Sequence, residues 1–254
     1  MKNIIAYSLW GSNPLYLEGA FRNADLVEEQ FPGWSIRIYH DNTVPAESIK
    51  ALNEHPFVET VSVDSMNIKY GMFWRYCIAD DKTVDRFLIR DLDDRLNKHD
   101  KATVDEWMNT EYPYHIMRSA RSHNFLVMGG LWGAKPNDIP FNMGDTVRNF
   151  ELTAHEADKY RDQRFLGEYI YPHAKGNCLV HGYDFNFNSG EVREFPGSNI
   201  LGGVYEGHIK TWEDGVRAQR IREMDLPGFE NADPDPEFHI KQGEERYVKH
   251  CRNN

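Results

Sequence analysis

The stretch Asp85-Arg-Phe-Leu-Ile-Arg-Asp-Leu-Asp-Asp-Arg-Leu96 decides how the rest of the chain is read. Phe87-Leu88-Ile89 is an unbroken apolar run, the pattern of a strand buried on both faces. It gives way to three carboxylates, Asp91, Asp93 and Asp94, set between Arg90 and Arg95. Carboxylates gathered at the end of a core strand repel one another and lose hydration, a cost that something cationic must offset. Mg²⁺ or Mn²⁺ suits such a site, because both prefer oxygen ligands and keep positions open for a diphosphate. In extended backbone Asp91 and Asp93, at i and i+2, point the same way and share one ion or its waters. In an open α/β sheet, ligands bind at the carboxyl ends of the strands. A plainer reading makes Asp91 and Asp93 solvated turn residues paired with Arg90 and Arg95. Asp94 reads as an arginine partner or the cap of the next helix.

Working outward, strands and helices alternate. Asn3 to Leu9 reads as a strand, and Gly11-Ser12-Asn13-Pro14 as a turn into a helix, with Ser12 or Asn13 as cap and Pro14 first in the helix. Leu17, Ala20, Phe21, Ala24 and Val27 form one apolar helical face, closed by Phe31-Pro32-Gly33. Ser35 to Tyr39 is a second strand, Ala46 to His55 a short helix and Val58 to Val63 a third strand. Met72 to Ala79 is an aromatic helix carrying one charge, Arg75, which either stacks on Trp74 or Tyr76 or reaches a ligand.

Beyond the opening stretch, Lys98 to Asn109 reads as a helix with Val104, Trp107 and Met108 inward, and His115 to Arg118 as a strand. Phe125 to Trp132 is an apolar strand pattern broken by Gly129-Gly130, either a bulge or a close backbone approach. Asp162 to Ile170 reads as a helix capped by Asp162 and stopped by Pro172, and Cys178 to His181 as a strand. Trp10, Trp107 and Trp212 read as packing residues. The alternation predicts an α/β fold with a mostly parallel, Rossmann-type sheet flanked by helices. Residues 1–225 form a single domain, and 226–254, with Pro-Gly, Asp-Pro-Asp-Pro and many charges, an irregular tail, loose or wrapping.

Composition narrows the classes of function. A formal net charge of -11 argues against a broad grip on nucleic acid, leaving an anionic small ligand to local arginines or a metal. Three cysteines, Cys77, Cys178 and Cys251, form no CxxC pair, so free thiols in a reducing cytoplasm are expected. There is no leader-like apolar segment and no membrane-length window, so a soluble, cytoplasmic protein is expected. The eleven histidines show no HExxH spacing, and Walker A, GxGxxG and GxSxG patterns are missing, which leaves kinase, dehydrogenase and hydrolase readings without support.

Four segments carry a resemblance: Tyr7-Ser8-Leu9 with Gly11-x-Asn13-Pro14; Phe73-Trp74-Arg75; Arg90-Asp91-Leu92-Asp93-Asp94-Arg95; and Gly129-Gly130-Leu131-Trp132-Gly133. Together they resemble bacterial and viral nucleotide-sugar glycosyltransferases of the GT-A fold. Asp162-Gln163 before Phe165-Leu166 is similar to the Asp-Gln of retaining transferases related to glycogenin and the lipooligosaccharide galactosyltransferases. The resemblance spans roughly residues 3 to 210. It implies that Asp91 and Asp93 hold Mn²⁺ or Mg²⁺ on the diphosphate of a nucleoside-diphosphate sugar, with UDP-sugars favoured. It further implies that Tyr7, Ser8 and Arg75 contact the donor, that Gly129 and Gly130 line the sugar pocket, and that Asp162 and Gln163 are catalytic. The family's third metal ligand is a His in a His-x-x-Gly-x-x-Lys-Pro-Trp segment. Here Gly207-His208-Ile209-Lys210-Thr211-Trp212 keeps only the Lys-x-Trp spacing, making His208 the candidate and His181 its rival.

The expected activity is metal-dependent transfer of a sugar to an acceptor hydroxyl, on a glycan or another acceptor, with retention if the Asp-Gln match holds. Two other readings stand beside it. One is a non-catalytic nucleotide-sugar or glycan-binding module. The other is an Asp-x-Asp phosphatase, a family that places its motif on the first strand and follows it with Thr or Val, where this chain has Arg95 after about eighty residues of β-α-β.

Overall fold

The computed structural model describes residues 2–119, 123–153 and 160–196. His208, Trp212 and the tail 226–254 lie outside the described residues.

Among the described residues, eight strands form one sheet: β1 (Asn3–Leu9), β2 (Trp34–His40), β3 (Val58–Ser62), β4 (Arg86–Ile89), β5 (Tyr114–Arg118), β6 (Trp132–Ala134), β7 (Cys178–Gly182) and β8 (Glu191–Arg193). Their spatial order is β3-β2-β1-β4-β6-β5-β7-β8. All pairs are parallel except those of β6, which runs antiparallel to both β4 and β5. The predicted α/β class, with its mixed and mostly parallel sheet, is what the chain adopts.

The helices form as their sequences direct. In α1 (Pro14–Gln30), the Asn13 side chain accepts a hydrogen bond from Leu15 N, and Pro14 occupies the first turn, where its missing N–H costs nothing. Its apolar stripe, Leu17, Ala20, Phe21, Ala24 and Val27, is buried with α2 (Ala46–Leu52) and α3 (Lys98–Met108) against one face of the sheet. The other face is covered by the 3₁₀ segment Gly71–Asp80, by α4 (Met143–Thr153), and by α5 (Arg161–Phe165), which runs through a π-helical turn, Leu166–Ile170, into α6 (Tyr171–Ala174).

Several expectations change. The run from Phe125 to Trp132 is not one strand: the chain passes Gly129-Gly130 as a loop, and pairing begins only at Trp132. A Cβ on Gly133 would lie 2.5 Å from Phe87 O, so it is this third glycine that meets the adjacent strand. Pro172 does not stop the helix; it sits in the first turn of α6, after the π-helical turn has already shifted the hydrogen-bond register. Helix α2 ends at Leu52, earlier than expected, and α4 and β8 were not among the expected elements. Among the described residues, no helix is long and apolar enough to cross a membrane.

Candidate functional site

Strand β4 delivers Arg90 and Asp91 to opposite sides, as the alternation of extended backbone requires. Arg90 is buried and binds both oxygens of Asp100 on α3 at 2.8 Å. Asp91 leaves by the other side, where Arg75 Nη1 donates to its Oδ1 at 2.5 Å. Among the described residues the cation in contact with Asp91 is Arg75, delivered by the 3₁₀ segment. Burial works against the Arg75 charge, yet Asp91, Tyr76 and Asp162 hold its pKa above the ordinary value. Its Nη1 also donates to Arg90 O at 2.6 Å, while its buried Nε has no hydrogen-bond partner among the described residues.

After Asp91 the backbone does not stay extended. Asp94 N donates to Asp91 O at 3.2 Å, closing a turn that brings Asp91 and Asp93 to the edge of one cleft of about 470 Å³. Ser8, Leu9, Trp10, Tyr16, Met72, Arg75 and Asp162 are also part of its lining. A smaller adjoining cavity of about 160 Å³ shares Asp91 and Asp162 and adds Asp94, Ser119, His123, Gly129, Gly130 and Gln163. Asp91 and Asp162 thus stand between two compartments.

The Gly129-Gly130 pair is explained by these carboxylates. A Cβ on Gly129 would sit 2.2 Å from Asp162 Oδ2, and one on Gly130 would sit 1.9 Å from Asp91 Oδ2. Tyr76 donates to Gly129 O at 3.2 Å and fixes the loop from below. The close approach suggested by the paired glycines is therefore to the two acidic side chains themselves. Burial raises the pKa of Asp162; Arg75 opposes the shift and Asp91 adds to it. Gln163 Oε1 is buried without a hydrogen-bond partner among the described residues, on a side chain that lines the smaller cavity.

Of the predicted site residues, Ser8, Arg75, Asp91, Asp93, Gly129, Gly130, Asp162 and Gln163 are brought together. Tyr7 is not. As the strand neighbour of Ser8 it faces the opposite side and is buried among Leu17, Phe21 and Leu88, whereas Ser8 Oγ accepts from Arg75 N at 3.0 Å. His181 is not at the cleft either. Its Nδ1 lies 2.8 Å from His115 Nε2 and its Nε2 3.2 Å from Glu106 Oε2, so both ring nitrogens are engaged elsewhere. Asp94 does not cap α3; Asn97 does, accepting from His99 N and Asp100 N.

Sequence reading missed three participants. Trp10, expected to pack, is 46% exposed on the rim, stacked against Tyr16 and edge-on to Trp74. Ser119 and His123, joined Oγ to Nδ1 at 3.0 Å, line the smaller cavity and belong to no recognisable motif.

The donor set fits a hard divalent cation. Asp91 and Asp93 offer only oxygen, and among the described residues no group of three or more His, Cys, Asp or Glu side chains gathers to hold an ion. The chemistry of these two carboxylates is the oxygen-donor kind that Mg²⁺ or Mn²⁺ prefers.

No protein-family model matches the chain, and no curated protein matches it. Solved structures do. An active-site mutant of LgtC is 13% identical with a TM-score of 0.50, covering 87% of this chain and 94% of that one. The chain shares the fold of LgtC. A galactosyltransferase LgtC structure in complex with donor and acceptor sugar analogues also matches, at 12% identity, a TM-score of 0.48 and 87% and 94% coverage. So does the mannosyltransferase PcManGT from Pyrobaculum calidifontis in complex with GDP-Man and Mn²⁺, at 13% identity and a TM-score of 0.48, covering 94% of this chain and 68% of that one.

Proposed function

We propose that this protein is a metal-dependent glycosyltransferase that moves a sugar from a nucleoside-diphosphate sugar, with UDP-sugars favoured, to an acceptor hydroxyl with retention of configuration. One observation carries the reading: Asp91 and Asp93 border a single cleft in which Arg75 is ion-paired to Asp91 and Asp162 completes the acidic lining. That arrangement lies at the carboxyl end of the central strands, in a fold shared with LgtC.

The roles follow from position. Asp91 and Asp93 hold Mn²⁺ or Mg²⁺, which when bound supplies Lewis-acid stabilisation of the departing diphosphate. Arg75 is buried, permanently charged and pre-oriented by Ser8 and Arg90 O, so it meets developing phosphate charge without reorganising. Trp10 and Tyr16 form an aromatic rim on the larger compartment, suited to a nucleobase face. The smaller compartment receives the sugar, whose hydroxyls donate to Gln163 Oε1 and to the carboxylate of Asp162 or Asp94. Gly129 and Gly130 admit the carboxylates of Asp162 and Asp91, which a Cβ would meet at 2.2 and 1.9 Å, to the wall of that compartment. Asp162, beside the anomeric carbon, stabilises positive charge there, and its position is the basis for proposing retention. The third metal ligand is proposed, from the sequence resemblance alone, to be His208, which lies outside the described residues.

The test is a panel of nucleoside-diphosphate sugars with Mn²⁺, following release of the nucleoside diphosphate and, by NMR, the anomeric configuration of the first product. The reading requires turnover of at least one donor, retained configuration, and loss of turnover in Asp162→Asn. Binding of donors without turnover across varied acceptors would leave a binding module, and release of phosphate from generic esters a phosphatase.

A further inference from the structure

The turn that carries Asp91 and Asp93 is gripped from behind by helix α1. Asn23, fully buried on that helix, donates from Nδ2 to Asp94 O at 2.9 Å and accepts at Oδ1 from Leu96 N at 2.9 Å. Its amide thus pairs with the backbone on both sides of Arg95, much as a neighbouring strand would. One helical turn earlier, Gly19 lies so close that a Cβ would stand 1.7 Å from Leu92 O. Arg95 folds back, donating from Nη1 to Leu92 O at 2.8 Å and to Asp94 O at 3.2 Å, while its Nη2 lies 3.8 Å from the buried Glu18, also on α1. The backbone of the turn is therefore held at Leu92, Asp94 and Leu96, leaving the carboxylates of Asp91 and Asp93 toward the cleft.

We propose that Asn23 is a positioning residue for the metal site, with Gly19 providing the clearance it needs. The inference rests on the reading of Asp91 and Asp93 as metal ligands. A buried amide with both hydrogen-bonding groups used on backbone avoids a desolvation penalty only while that backbone stays where it is. It therefore fixes the turn in one conformation. Groups hydrogen-bonded to metal ligands cost ten- to hundredfold in affinity when removed; Asn23 acts one step further back, through the backbone of the turn, so the lower end of that range applies.

The measurement is Mn²⁺ binding to the full chain, read from loss of the free-ion EPR signal with and without UDP. Asn23→Leu keeps the branching at Cγ and removes both hydrogen bonds. Asn23→Asp keeps the acceptor and sets an oxygen against Asp94 O. Gly19→Ala pushes on Leu92 O directly. Leu52→Ala, an equally buried change on α2, is the control for general loss of stability. All variants are compared at a temperature where circular dichroism shows them folded. The expected result is about a tenfold weaker Mn²⁺ affinity in the three α1 variants and wild-type affinity in Leu52→Ala. Equal affinities across all four would overturn the proposal. Wild-type Mn²⁺ affinity in Asp91→Asn and Asp93→Asn would instead remove the metal reading itself, and this inference with it.

Discussion

Replacing Gly130 by alanine sets a methyl group 1.9 Å from Asp91 Oδ2, where ordinary contact begins at 3.4 Å. The carboxylate must move by about 1.5 Å to restore van der Waals separation. Backbone retreat is hindered, because the preceding carbonyl is held by Tyr76 and pairing with β4 starts two residues later at Trp132. Asp91 is half-exposed and gives way first, stretching its 2.5 Å contact with the buried Arg75. Arg75 keeps Arg90 O, and solvent screens the exposed side of the pair, so the stability loss is about 1–2 kcal/mol. Function suffers more. Under the proposed role of Asp91, a displacement of this size is expected to lower turnover about a hundredfold. Urea denaturation gives the first quantity, and Mn²⁺-dependent release of nucleoside diphosphate the second. Wild-type stability together with wild-type metal dependence in Gly130→Ala would refute the claim that the glycine exists to admit Asp91.

Three more outcomes are expected. Asp162→Asn should raise the melting temperature while removing turnover: burial raises the Asp162 pKa, so its ionised form is disfavoured in the folded state at neutral pH, and a neutral amide removes that penalty; a lower melting temperature would contradict this. His115 and His181 both have pKa values held below 6.5, by burial first, with His181, Arg90 and Arg86 adding to the effect at His115 and Glu106 opposing it at His181. The folded state therefore binds fewer protons than the unfolded one as pH falls below 6.5, and stability present above that pH is progressively lost; urea midpoints at pH 7.5 and 5.5 check this, and His115→Gln should flatten the difference. Arg118→Ala should cost about 3 kcal/mol or more, because the fully buried guanidinium donates to Phe125 O, Leu126 O, Tyr183 O and Ser189 Oγ and ties two loops together; a loss within experimental error in urea would show those contacts to be dispensable.

The parts of this molecule written in local pattern were legible in the sequence. β1 runs from Asn3 to Leu9 as its apolar run with flanking turn residues requires, and α1 starts at an Asn-Pro cap and buries the five predicted positions. The acidic turn was found because three carboxylates after an apolar strand are costly anywhere but at a site. What could not be read depends on partners distant in sequence. Nothing local says that Asp91 pairs with Arg75 instead of Arg90, since that follows from β4 pointing consecutive residues to opposite faces of the sheet. The same rule divides Tyr7 from Ser8, which sequence resemblance had placed together. α4 was missed although Met143, Val147 and Phe150 share one face and Asn142 accepts from Asp145 N as a local cap; only the caps of Met143 N and Gly144 N come from afar, from Asp80. The Ser119–His123 pair has no spacing that distinguishes it from a loop.

The central claim is that Asp91 and Asp93 bind a divalent cation together with a nucleoside diphosphate. The most direct test is thermal stabilisation by UDP, GDP, CMP and ADP, each with and without Mn²⁺, on the wild type and Asp93→Asn. Selective binding to the folded state raises the melting temperature through linkage. The account predicts a shift that requires Mn²⁺, is confined to one nucleoside diphosphate and disappears in Asp93→Asn. No shift with any nucleotide, or an equal shift in the variant, would contradict it.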